Sequence, residues 1–179
     1  REDVHLICLF NTAEAALAWQ EEVYRHLPAH ENREEYFGPQ ILFDSAGREI
    51  GREKRLLLAS TDLGVEEVAG EVNARGGLCL PAHVDRPAYS LLANLGLIPP
   101  GLPVAALELG LFTPEVARRQ FPCLVGWPLV ASSDAHYLNG IGRRVTEYDL
   151  EAVNITGLAR ALRLEQFKVV VDAGRNKFR

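Results

Sequence analysis

The chain has 179 residues, of which 47% are hydrophobic and 24% charged, with a formal net charge of −5. That length supports one domain with a sizeable core. The acidic balance argues against general nucleic-acid backbone binding and leaves room for a local basic pocket for one phosphate. No apolar run nears the roughly 18 residues needed to cross a bilayer, and no charged-then-apolar leader opens the chain, so no membrane partner and a cytoplasmic location are expected.

Cys8, Cys79 and Cys123 are odd in number, far apart and set among apolar residues; buried thiols in a reducing compartment are expected rather than disulfides. There is no methionine, and an apolar run begins at Val4. The chain therefore reads as the later part of a longer protein.

Val4 to Phe10 reads as a buried strand. Thr12 can cap a helix over Ala13 to Leu27, striped by Leu17, Val23, Tyr24 and Leu27. Pro28 to Phe37 is polar and loop-like, and "QILFDSAGREIG" reads as a small hairpin turning near Asp44 to Gly47, an insertion on a larger architecture. Leu56 to Ala59 is expected to be helical. Val65, Val68 and Val72 mark another helix, ended by Gly76-Gly77. The strand "LCLPAHV" follows, then a short helix at Ser90 to Leu95, the turn "GLIPPGLP", the strand "VAALELG" and a helix at Pro114 to Gln120. An apolar strand runs into "SSDAH". Thr156 can cap Gly157 to Leu164, and "FKVVV" supplies the last strand. Apolar strands alternating with helices predict one α/β unit, a parallel sheet covered by helices, open or barrel-like. No internal repeat or low-complexity tract interrupts it.

Three of these strands carry polar groups suited to chemistry. His5 stands in the first apolar run; "LCLPAHVDRP" ends its strand with His83, then Asp85 and Arg86; and "VASSDAH" ends with Asp134 and His136. Strand carboxyl ends face the active-site side of parallel α/β folds, and residues two apart project to one side of an extended segment. Imidazoles and a carboxylate converging there suit Zn²⁺, Mn²⁺ or Fe²⁺. Singly, each is equally a strand-end cap, a turn or a core histidine; the conjunction of three strands favours the metal. His26 and His30 are expected to face solvent, with no role.

"VHLICLF", "LPAHVDRP" and "VASSDAHYLNGIG" together resemble the later motifs of the PHP family, named for polymerase and histidinol phosphatase. The resemblance runs through nearly the whole chain, including the inserted loop and the "LGLIPP" turn. It implies the later part of a distorted (β/α)7 barrel, incomplete in this chain and carrying the small β-hairpin insertion. Residues 1–179 would form a single PHP-like domain fragment, with the first strands and metal motifs upstream. The family site holds up to three divalent metals, and His5, His83, Asp134 and His136 are the ligands this segment would supply.

The implied activity is metal-dependent phosphoesterase hydrolysis of a small phosphorylated metabolite, nucleotide or oligonucleotide by activated water, with the upstream segment required. Arg86 and Arg143 are candidates to bind phosphate, and Glu108 to orient a ligand histidine or water. Gly140 and Gly142 would let the loop bring Arg143 to the site. The chain would associate with its upstream segment or with a second copy. The rival reading is a non-catalytic, regulatory or partner-binding PHP-like module. A C–N hydrolase would want an activating lysine, and no lysine sits at a strand end.

Overall fold

A computed structural model describes residues 3–171; residues 1–2 and 172–179 of the expected single domain lie outside the described residues. The chain divides into two compact units, one of residues 1–16 with 64–179 and a smaller one of residues 17–63.

The larger unit is a mixed α/β arrangement of small sheets. β1 (Leu6–Leu9) pairs antiparallel with β4 (Leu78–Pro81). β5 (Leu107–Leu109) pairs parallel with β6 (Leu129–Ala131), and β7 (Arg144–Tyr148) pairs antiparallel with β8 (Phe167–Val171). Between the ladders the strands are tied by fewer bonds. Ala105 N donates to Cys79 O (3.1 Å) and Val84 N to Glu108 O (2.8 Å), so the segments around β4 and β5 run side by side in the same direction. Thr146 Oγ1 exchanges hydrogen bonds with the N–H and carbonyl of Ala131, both 2.9 Å, where β6 meets β7. The expected parallel sheet is therefore corrected: of the ladders in this unit only β5–β6 is parallel, and no closed sheet forms among the described residues. An unbroken apolar run reports burial on both faces and carries no information on strand direction.

Helices α3 (Val65–Ala74), α4 (Leu91–Leu95) and α5 (Pro114–Gln120) lie where the sequence places them. Each follows its local chemistry. Ser90 Oγ and Thr113 Oγ1 cap α4 and α5, and Gly76 and Gly96, with φ of 72° and 71°, end α3 and α4 in the left-handed conformation that glycine adopts without strain. α6 (Ile155–Arg163) is capped by Asn154, whose Oδ1 accepts from Gly157 N (2.8 Å), rather than by Thr156. With Asn154 taking the cap two residues earlier, Ile155 and Thr156 join the first turn of the helix. The sequence reading assigns no element to β7, although Val145, Thr146 and Tyr148 carry strand propensity. The core holds Val84, Leu91, Leu107, Leu109, Leu124 and Leu129, all essentially inaccessible. Gly77 opens β4 because a Cβ there would stand 2.7 Å from Leu9 O.

α1 (Ala13–His26) starts under Thr12, whose Oγ1 accepts from Ala15 N (3.2 Å). Within the smaller unit, a single helical turn, α2 (Glu34–Phe37), interrupts the expected loop, and β2 (Ile41–Phe43) and β3 (Glu49–Arg52) form the expected hairpin. Leu56–Ala59 is a turn, not a helix. Leu56 N donates to His30 O and Leu57 N to the Gln40 side chain, both 2.8 Å, so these N–H groups are taken from any helical ladder. No helix among the described residues is long and apolar enough to cross a membrane. Cys79 is buried and Cys8 half-buried, but Cys123 is exposed, against the expectation of three buried thiols; it falls in the short turn Pro122–Leu124, where Leu124 alone is buried.

Candidate functional site

The antiparallel β1–β4 pairing builds one wall of the site. His5 immediately precedes β1 and His83 follows the end of β4, so the ladder lays the two imidazoles side by side. A parallel pairing would have left them at opposite ends. His5 Nδ1 lies 3.1 Å from His83 Nε2. Tyr89 stacks on the outer face of His5, with ring centroids 5.1 Å apart and planes at 7°, and its carbonyl accepts from His5 N (3.1 Å).

The second wall is the loop after β6. His5, His83, Arg86, Tyr89, Leu111, Asp134 and His136 line one cavity of about 470 Å³. Three of these residues have positive φ without being glycine: His83 (34°), Tyr89 (55°) and Asp134 (43°). Such conformations cost energy and gather where the surroundings over-determine them, commonly at functional sites.

His83 is only 5% exposed. Desolvation holds its ring below the usual histidine pKa, opposed by the Asp134 charge, and so keeps it in the neutral form that can ligate a metal. Its Nδ1 is buried without a hydrogen-bond partner. His136 Nδ1 lies 2.9 Å from Asp134 O; a carbonyl can only accept, so the proton is on Nδ1 and Nε2 presents a lone pair. Arg86 Nη2 stands 2.8 Å from Asp134 Oδ2, at ion-pair distance but without hydrogen-bond alignment.

Glu108 does not line the cavity. Buried behind it, Glu108 accepts from His83 N through Oε2 (3.1 Å) and from Ser132 Oγ through Oε1, and so ties together the two strand ends that carry the site. Arg143 lines a neighbouring cavity of about 510 Å³ that shares Asp134 and His136. Its Nε donates to Asn139 O (2.9 Å), and Gly142, at φ 77°, makes the turn that leads to it. Gly140 lies instead against Ala135.

Several residues that shape the site are given no role by the sequence reading. Asp85 accepts from three successive N–H groups, those of Gly110 (2.6 Å), Leu111 (2.9 Å) and Phe112 (2.8 Å), while Arg144 donates to the carbonyls of Leu111 and Phe112. The 110–112 segment is thereby clamped from both sides. Gly110 is required there, since a Cβ would come 2.8 Å from that of His83. Asp85, adjacent to Arg86 in "HVDR", was the legible signal; Tyr89 carries none, because its stacking depends on β1 pairing.

The donor chemistry fits part of a divalent-metal shell. Two nitrogens sharing one tetrahedral ion stand about 3.3 Å apart, close to the His5–His83 separation, and the orphaned His83 Nδ1 marks a polar site with capacity to spare. Among the described residues, no three His, Cys, Asp or Glu side chains are arranged to hold an ion.

Residues 119–167 match the PHP-associated family. The chain is 30% identical over 111 residues to the uncharacterized protein YqxK of Bacillus subtilis (strain 168), an alignment covering 58% of this chain and 28% of that protein. Two solved structures share the fold. One is the lesion-specific endonuclease PfuEndoQ from Pyrococcus furiosus, with TM-score 0.61 and 21% identity over 93% of this chain and 38% of that one. The other is Endonuclease Q in complex with a 27-mer duplex substrate with an abasic lesion at the active site, with TM-score 0.55 and 20% identity over 90% and 36%. The chain thus spans well under half the length of these relatives.

Since one of these structures holds a 27-mer duplex substrate, the expectation of no general nucleic-acid backbone binding is overturned. Net charge averages over the whole chain, whereas binding depends on where cations stand. Residues 17–63 carry nine acidic and six basic side chains, while Arg86, Arg143 and Arg144 gather at the two cavities. The chain carries a PHP-associated segment, and the resemblance to the PHP family borne by its motifs holds.

Proposed function

We propose that this chain is part of a metal-dependent phosphoesterase that hydrolyses a phosphodiester of DNA, and that in the complete protein it forms the later portion of a distorted (β/α)7 barrel, as a single PHP-like domain. The observation that carries this reading is the convergence of His5, His83, Asp134 and His136, from three separated stretches of sequence, on one cavity with strained backbone at two of them. The likeness to an endonuclease captured on a lesion-bearing duplex supports DNA over a small metabolite.

His5, His83, Asp134 and His136 would hold zinc, manganese or iron, with further ligands from outside the described residues. A bound ion would polarise a phosphoryl oxygen and lower the pKa of its water. The chain's own residues do the rest. Tyr89 fixes the plane of His5, and Glu108 holds the backbone of His83 in its left-handed conformation. Arg143, with Nη1 and Nη2 not hydrogen-bonded among the described residues, is placed to take a phosphate oxygen. Arg86 neutralises Asp134 until a stronger cation arrives.

That Arg86–Asp134 pair also favours a second reading, in which the chain grips DNA without cutting it, arginine standing where a metal would otherwise be needed.

The test is cleavage of a duplex with one abasic site by the full-length protein, with Mn²⁺ or Zn²⁺ added, beside the His83→Ala and Asp134→Asn variants. Cleavage that needs metal and falls at least about 100-fold in both variants is expected. Duplex binding without cleavage under any metal selects the second reading. Neither binding nor cleavage overturns both.

A further inference from the structure

Two thiols that the proposed chemistry does not use face each other across the β1–β4 ladder. Cys8 is the direct partner of Cys79, in the register that also joins Leu6 to Pro81 and Ile7 to Leu80. The type of pair follows from the bonding. Ala82 N donates to His5 O (2.9 Å), so His5 and Ala82, next in the same register, form a hydrogen-bonded pair. Antiparallel ladders alternate: Leu6–Pro81 is then non-bonded, Ile7–Leu80 bonded, and Cys8–Cys79 non-bonded. Pro81 agrees with this assignment, since a residue without an N–H is tolerated where the ladder asks for none.

In a non-bonded pair the Cα atoms approach to about 4.5 Å with side chains on one face, inside the span of roughly 4.4–6.8 Å that a disulfide bridges. The geometry points to Cys8 and Cys79 as a redox modification site, a dithiol that peroxide converts into a cross-strand disulfide stapling β1 to β4.

The half-buried Cys8 is the sulfur that peroxide reaches, and Cys79, fully buried, resolves it. The hydrogen bond with Cys8 and burial push the Cys79 thiol up, so Cys79 is not the first of the two to react. Cys8 sulfur attacks one peroxide oxygen, the O–O bond breaks and water leaves, giving the sulfenic acid. Cys79 sulfur then displaces that oxygen: the S–S bond forms, the S–O bond breaks, and the departing hydroxide takes the Cys79 proton as water. Two thiols are oxidised, one peroxide is reduced and two waters are formed.

The bond would lock the strands that set His5 beside His83, without consuming any residue of that site. It would also close the long loop between the two cysteines, restricting the unfolded chain.

The experiment treats the protein with hydrogen peroxide in a Cys123→Ser background, so that only the two core thiols remain. Expected are a loss of mass equal to two hydrogen atoms, a non-reducing peptide map joining the Cys8 and Cys79 peptides, and a rise in Tm of several degrees reversed by dithiothreitol. The Cys8→Ser variant should show none of these. Retention of both thiols, or oxygen addition at Cys8 without the cross-link, overturns the proposal; both can be read in the wild-type sequence should Cys8→Ser fail to fold.

Discussion

The interiors of the two units are stabilised by different means. In the larger one, closely packed leucines and valines fill the space between strands and helices, and the titratable side chains buried there, His83, Asp85 and Glu108, stand in or just beyond strands β4 and β5. In the smaller one, large apolar side chains stand in the open, Tyr36 at 71% and Leu58 at 73% exposure, and polar side chains make the connections. Gln40 Nε2 donates to the carbonyls of Glu53 (3.0 Å) and Arg55 (2.8 Å), while its Oε1 accepts from Leu57 N. Arg55 lies over the Tyr24 ring, 4.1 Å from its centroid, and donates to Tyr24 O (2.6 Å). The smaller unit buries few side chains, Trp19, Leu27 and Leu63 among them, and is organised chiefly by hydrogen bonds to its backbone, the unit that bears the candidate site by close packing.

That contrast makes the same substitution weigh differently in the two units. Leu107→Ala, in the core of the larger unit, should cost about 2–5 kcal/mol, whereas Leu58→Ala should stay within about 0.5 kcal/mol; urea denaturation of both variants compares them, and equal losses would erase the distinction. Gln40→Ala should cost about 1–3 kcal/mol by leaving three backbone groups unpaired. Its sharper signature is local: hydrogen exchange should accelerate at Leu57 while amides of β5 are unchanged.

The smallest effect is titratable. His26 Nδ1 lies 2.6 Å from Asp62 Oδ1 and Nε2 lies 3.3 Å from Glu22 Oε1, and the hydrogen bond to Asp62 chiefly raises its pKa. A base whose folded pKa exceeds its unfolded value of about 6.5 contributes stability fully below that pH and loses it as pH rises through the folded pKa. The stability gap between the wild type and His26→Gln should therefore narrow as pH climbs above about 6.5; a gap that is flat or widens would remove His26 from the account.

Local elements were readable because their signals are local. Thr113 followed by Pro114, Ser90 ahead of Leu91 and Gly76 after α3 specify helix ends through their own side chains or backbone freedom. The hairpin was marked by Asp44, whose Oδ1 accepts from Ala46 N and Arg48 N, both 2.9 Å. Strand direction was not readable, because Leu6–Leu9 and Leu78–Pro81 are apolar in either sense and only the intervening chain and the packing decide it. The residues lining the cavity were legible as an uncommon conjunction of polar groups at strand ends. How they are held was not: the stacking of Tyr89, the clamp made by Asp85 and Arg144, and the use of Glu108 behind the site all arise from contacts between segments far apart in the chain.

The β1–β4 ladder also governs when the molecule becomes competent. His5 and His83 meet only after a loop containing the entire β2–β3 hairpin has closed, a contact of high sequence separation whose entropy is lost before any reward arrives. The cavity should be among the last features to assemble, so that a probe at His5 times the end of folding. Because closure entropy grows only logarithmically, doubling the intervening length would add merely about 0.6 kcal/mol. Descendants of this chain can therefore remodel residues 17–63 freely while the imidazoles stay in register.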